Sequence, residues 1–206
     1  MATDFRRRLE QAQERKAVGN TSVASGDFRT AAFNYKQVPL FVEQFVASSL
    51  KGTIADKGEG AGDMGMANML TQQRGDNSYK PTPEEQKEVD AFYASVQSNL
   101  ALCHLRLGRF DKAREAATVA VVLIERYGVK LTKEKPGDPN SPIGRAYYRR
   151  ALAHINLSNL EEAREDLMCI GGEKEPIAAE QLVVLRVKEA EAASKEKKLY
   201  KNMFAA

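Results

Sequence analysis

Residues 144–167 read GRAYYRRALAHINLSNLEEAREDL. Residues suited to a buried stripe recur at Ala151, His154, Ile155 and Leu157, then at Leu160, Ala163 and Leu167. That three-and-four spacing is the signature of amphipathic helices, and it is interrupted at Ser158 and Asn159. The stretch therefore predicts two short helices joined by a tight turn. The pattern occurs twice more, as VQSNLALCHLRLGRFDKAREAATVAV over 96–121 and as ERKAVGNTSVASGDFRTAAFNYKQV over 14–38. In each copy a small residue on the first helix (Gly19, Ala101, Ala151) precedes an alanine on the second (Ala31, Ala113, Ala163) by twelve positions: 31−19, 113−101 and 163−151. Small side chains at both points let antiparallel helices approach closely, so each copy reads as one helical hairpin.

The intervening segments complete an all-α reading. Asp4 is positioned to cap a first helix over 4–24. Gly26 and Asp27 form the turn, and the partner helix starts at Phe28 and is expected to reach about Leu50. Pro39 inside it predicts a break near Val38. Residues 52–83 hold six glycines and two prolines. Such a segment buries little and loses much entropy on ordering, which predicts a mobile insertion; Met64, Met66 and Met69 are also compatible with a short docking helix. Thr82, Pro83, Glu84 and Glu85 form a strong helix start, with a cap, a proline at the first position and acids in the first turn. That helix runs to Gly108, and its partner from Phe110 to Arg126. Lys130 to Pro142 reads as a loop, the third hairpin ends at Gly171 and Gly172, and one long helix follows over 176–204. Ile177, Leu182, Val183, Leu185 and Val187 are its apolar residues, while its later part is mostly polar and is expected to project. One solenoid domain over 1–206 results. Its hairpins lie at about 12–50 (with the glycine-rich insertion at 52–82), 84–127 and 142–171, and the terminal helix covers the last.

Composition narrows the function. Hydrophobic residues make up 43% and charged residues 29%, which suits a soluble helical chain with a thin core. No run approaches the roughly 18 apolar residues of a membrane span, so no membrane insertion is expected. The opening MATDFRRRLEQAQ lacks the apolar region of a secretory signal, and Asp4 and Glu10 weigh against a transit peptide. Cys103 and Cys169 lie among apolar neighbours and read as small core residues of a reducing compartment, placing the chain in the cytoplasm. A net charge of +3 without a clustered patch argues against a nucleic-acid partner. His104 and His154 occupy equivalent places facing the partner helices. With no further ligands they read as packing residues, so no metal is expected. No nucleophile–base pair and no phosphate-cradling glycine loop occurs, so neither enzyme activity nor a cofactor is expected.

The triplicated hairpin resembles the tetratricopeptide repeat (TPR) family, whose hairpins of about 34 residues stack into a solenoid. The chain has no tryptophan, unlike the family pattern, and its turn alanines are irregularly spaced. In TPR co-chaperones that grip the C-terminus of heat-shock chaperones, the first helices carry a carboxylate clamp. The resemblance implies that Lys16, Asn20, Asn99, Arg145 and Arg149 take those places, with Arg145 standing where the family has lysine. A peptide ending in Glu-Glu-Val-Asp offers an α-carboxylate beside an aspartate carboxylate, which cations and asparagine amides satisfy together. The plainer reading of these five is as surface residues. Against it, asparagine is a poor helix-interior residue, and two of the five are mid-helix asparagines.

NLALCHLRLGRFDKA, AYYRRALAHINLSNLEEAREDL and KEKKLYKNMF further resemble the TPR region of the large FK506-binding immunophilins and of the aryl-hydrocarbon-receptor-interacting protein. The implied role is a non-catalytic adaptor or co-chaperone for the tail of a ninety- or seventy-kilodalton heat-shock chaperone, with a client protein on another surface. No isomerase domain precedes the repeats here, so the chain reads as a fragment or as a stand-alone member, and no isomerase activity is carried over. The alternative is a scaffold whose groove takes an internal peptide or a partner helix. Residues 186–201 hold six basic and three acidic residues, compatible with a calmodulin target helix, though a solvated helix end is the preferred reading. Tyr147 and Tyr148 flank the clamp residues and suit either a peptide side chain or the core.

Overall fold

The computed structural model describes residues 2–46 and 79–203. Eight α-helices occur among them: α1 (Ala2–Ala24), α2 (Phe28–Gln37), α3 (Pro39–Val42), α4 (Pro83–Arg106), α5 (Phe110–Glu125), α6 (Pro142–Asn156), α7 (Leu160–Cys169) and α8 (Pro176–Met203). Short 3-10 turns follow α3 and α7, and no strand is present among the described residues. Helices α1 and α2, α4 and α5, and α6 and α7 pair as three hairpins, and α8 lies against the last. This is an all-α solenoid of three helical hairpins with a terminal helix against the last. The glycine-rich insertion, with Met64, Met66 and Met69, falls outside the described residues, as does Phe204.

The three hairpin turns share one geometry. Each passes through a residue with positive φ: Gly26 (79°), Gly108 (69°) and Ser158 (63°). The next backbone N–H then donates back to the preceding helix, from Asp27 to Ser22 O, from Arg109 to His104 O and from Asn159 to His154 O, each at 2.9 Å. This is the six-to-one closure of a Schellman motif, and it satisfies a carbonyl left over at the helix end. Only Asp27 adds a side-chain cap, its carboxylate accepting from Thr30 N at 3.0 Å.

Small residues set the interhelical distances. Ala31, Ala101, Ala113, Ala151 and Ala163 are completely buried, as the twelve-residue offset requires. In the first hairpin a Cβ at Gly19 would lie 2.5 Å from the ring of Tyr35, so any side chain there must displace that ring. Two apolar clusters result, one from α1 to α5 and one from α5 to α8. Helix α5 belongs to both. Val119 and Leu123 face the first cluster, Ala120 and Val121 the second, so α5 ties adjacent hairpins into one body.

The ends of the elements follow local chemistry, with two corrections to the sequence reading. Pro39 breaks the second helix at Val38, as expected, and a 3-10 turn over Glu43–Phe45 ends it before Leu50. Thr82 and Glu85 form a reciprocal capping box at the start of α4. Asp4, in contrast, is not a cap. The helix already begins at Ala2, and the Asp4 carboxylate accepts from Arg7 (2.6 Å) and Arg8 (2.8 Å) within the first turns. On α8, Leu182, Leu185 and Ala178 are buried, whereas Ile177, Val183 and Val187 are exposed. Only one stripe of α8 meets the last hairpin, so these three apolar residues do not join the core.

Cys103 is buried, Cys169 half-buried, and both are free thiols. No helix among the described residues is long and apolar enough to cross a membrane.

Candidate functional site

The site is built on α1, α4 and α6, the first helix of each hairpin. Residues four apart on a helix share a face, and each of these helices presents one such pair: Lys16 and Asn20, Ser95 and Asn99, Arg145 and Arg149. Hydrogen bonds set Lys16 beside Ser95, Asn20 beside Asn99 and Arg149 beside Asn99, with Arg145 one turn before Arg149, so that the six fall in two rows. Direct hydrogen bonds join the second row across all three helices. Asn99 Nδ2 donates to Asn20 Oδ1 at 3.2 Å, and Arg149 Nη1 donates to Asn99 Oδ1 at 3.3 Å. Arg149 Nη1 also donates to Ser98 Oγ at 2.5 Å.

The first row is held by a hydroxyl. Ser95 gives its own proton to Phe92 O (2.6 Å), which leaves its oxygen free to accept from Lys16 Nζ at 2.6 Å. The Lys16 ammonium also lies 5.2 Å from the Phe92 ring centre, a cation–π distance. Arg145 is exposed and donates to Asn140 O (2.9 Å) in the loop before α6. Ser141 begins α6 by accepting from Gly144 N at 3.0 Å, which fixes where Arg145 and Arg149 emerge.

The cations of this surface have neutral partners. Among the described residues, no carboxylate lies within salt-bridge distance of Lys16, Arg145 or Arg149. Burial holds the Lys16 ammonium below its ordinary range. Burial, and secondly the like charge of Arg145, lowers Arg149 to about 10. Arg149 is therefore charged at neutral pH and uncompensated, a state that an incoming anion relieves.

Three contributing residues were not singled out in the sequence. Ser95 and Ser98 support the two inner cations, and the signal for Ser95 was its place four residues before Asn99. Tyr35, on α2, donates from its hydroxyl to Asn20 Oδ1 at 2.7 Å. Nothing in its apolar-looking context marked it as more than core. Tyr147 resolves the other way: it is buried, and its hydroxyl donates to Glu125 Oε1 at 2.5 Å, so it packs within the fold. Tyr148 is half-buried, and burial, then Glu180, raises its hydroxyl.

His104 is buried and His154 half-buried, with His154 Nδ1 paired to Asn159 Nδ2 at 3.2 Å. No group of three or more histidine, cysteine or acidic side chains able to hold a metal occurs among the described residues. The surface thus carries three cations and two asparagine amides, with no acidic partner for the cations among the described residues.

Residues 144–168, which supply Arg145 and Arg149, match the family model described as tetratricopeptide repeat. The third hairpin is a TPR. The chain also resembles the TPR region of the large FK506-binding proteins. It is 30% identical over 132 residues to FK506-binding protein 59 of Drosophila melanogaster, covering 62% of this chain and 26% of that protein. The peptidyl-prolyl cis-trans isomerases FKBP4 of Mus musculus and Homo sapiens are each 31% identical over 123 residues, covering 59% of this chain and 23% of theirs. The chain thus spans about a quarter of the length of these relatives.

Proposed function

We propose that the rows Lys16–Ser95–Arg145 and Asn20–Asn99–Arg149 form a carboxylate clamp for the free C-terminus of an acidic peptide. The ligand is the Glu-Glu-Val-Asp tail of a cytoplasmic heat-shock chaperone, and the chain acts as a co-chaperone or adaptor by recognition alone. The observation that carries this reading is the cluster of three cations that meet only neutral groups among the described residues. Two asparagine amides lie between them, suited to the peptide backbone and the remaining carboxylate lone pairs. The likeness to TPR-type FK506-binding proteins supports the same reading. The direct test is an Arg149→Ala variant titrated with a labelled Glu-Glu-Val-Asp peptide. We expect at least about tenfold weaker binding, with circular dichroism and melting temperature unchanged. Wild-type affinity in that variant would remove the clamp.

A further inference from the structure

Tyr35 belongs to the packing between α1 and α2, yet its hydroxyl reaches through to the face where the clamp residues stand. The absence of a side chain at Gly19 makes this reach feasible, since a Cβ there would lie 2.5 Å from Tyr35 Cε1. The ring is 1% exposed, and its hydroxyl donates to Asn20 Oδ1. The same oxygen accepts from Asn99 Nδ2, so both of its lone pairs are occupied.

Resting on the carboxylate-binding reading above, we propose that Tyr35 is a positioning residue that locks the Asn20 amide with its oxygen inward and its NH2 toward the ligand, so that the groove is lined by donors alone. The rest of the row obeys the same rule. Asn99 Oδ1 and Ser98 Oγ accept from Arg149, and Ser95 Oγ accepts from Lys16. Each side-chain oxygen along the two rows thus accepts from at least one internal donor. A surface of donors favours a carboxylate over a carboxamide, because an amide ligand brings its own N–H groups to sites with no acceptor. Burial pushes the Tyr35 hydroxyl up to about 12, so it remains a donor throughout the physiological range.

The test measures discrimination, using peptides ending in Glu-Glu-Val-Asp as the free acid and as the C-terminal amide. Tyr35→Phe keeps the ring and removes the hydroxyl, which frees the Asn20 amide to turn its oxygen outward. We expect the free acid to bind about three- to tenfold more weakly and the amide to be little affected, so that the acid-to-amide ratio shrinks. Adding Tyr35→Phe to Asn20→Ala should then cost nothing further, because Tyr35 acts through Asn20. Gly19→Ala, which displaces the ring instead of deleting the hydroxyl, should shrink the ratio in the same direction. A Tyr35→Phe protein with the wild-type ratio, or losses that add in the double variant, would overturn the positioning role while leaving the clamp intact. A wild-type protein that binds acid and amide equally would overturn the clamp itself, before any variant is made.

Discussion

Arg149 and Arg150 are adjacent on α6 and meet opposite surroundings. Arg150 makes two hydrogen bonds to the Asp166 carboxylate on α7, at 2.6 and 2.8 Å, and lies 4.9 Å from the Tyr147 ring centre. Arg149 points to the other side and rests on a serine hydroxyl and an asparagine amide. One step along the helix turns a side chain by about 100°, so a single dipeptide supplies both a structural cation and an unpaired one.

The two positions should therefore separate in mutagenesis. Arg150→Ala leaves a buried carboxylate without its partner and is expected to cost roughly 2–4 kcal/mol of stability, read from urea unfolding. Arg149→Ala should leave the unfolding midpoint nearly unchanged and remove peptide binding. A reversal of these two phenotypes would contradict the assignment of structural and ligand-binding roles.

Gly19→Ala is expected to destabilise the first hairpin. An alanine gains up to about 1 kcal/mol of helix propensity over glycine. Forcing the buried Tyr35 ring to move costs about 1–3 kcal/mol, so the net change should be a loss. A variant more stable than wild type in thermal unfolding would show that the ring yields freely.

Ser158→Gly should stabilise the protein. Ser158 stands where the other two turns have Gly26 and Gly108, and it carries the same positive φ. A left-handed conformation costs a residue with a Cβ about 1–2 kcal/mol, part of which glycine returns as unfolded-state entropy. The expected gain is about 0.5–1 kcal/mol, measured as a raised melting temperature. A loss on substitution would mean that the serine side chain stabilises this turn.

His104 makes the fold sensitive to acid. Its Nδ1 is buried without a hydrogen-bond partner. Burial, aided by Lys36, Arg109 and Lys112, lowers its pKa from 6.5 to about 4. Because the folded value lies below the unfolded one, the unfolded state binds more protons between these two values. Stability contributed by neutral His104 is complete above about pH 6.5 and declines as pH falls toward about 4. A His104→Leu variant should lose part of this decline, and an unchanged stability difference between the two proteins over that window would contradict it.

How much of this was legible in the sequence differs between fold and site. The offset between Ala101 and Ala113, repeated at Ala151 and Ala163, located the hairpins because close helix packing demands small residues at fixed spacing. Pro39 and the Thr82–Glu85 pair were readable for the same local reason. The link from Tyr35 to Asn20 was not, since a tyrosine on an apolar helix face looks like core until the missing side chain at Gly19 is seen beneath it. The structural role of Arg150 was also hidden. The resemblance picked out Arg149 beside it, but only the position of Asp166 on the next helix shows what Arg150 does. Asp4 had the chemistry of a cap, but the helix starts before it, and its carboxylate is taken by Arg7 and Arg8.

The central claim is that a free C-terminal carboxylate is what this surface binds. The most direct measurement is a calorimetric titration of the wild-type chain with a peptide ending in Glu-Glu-Val-Asp, beside the same peptide amidated at its C-terminus. Micromolar affinity for the free acid, about −8 kcal/mol, with at least about tenfold weaker binding of the amide, is the predicted result. Equal affinity for the two peptides, or no binding of the free acid, would contradict the account.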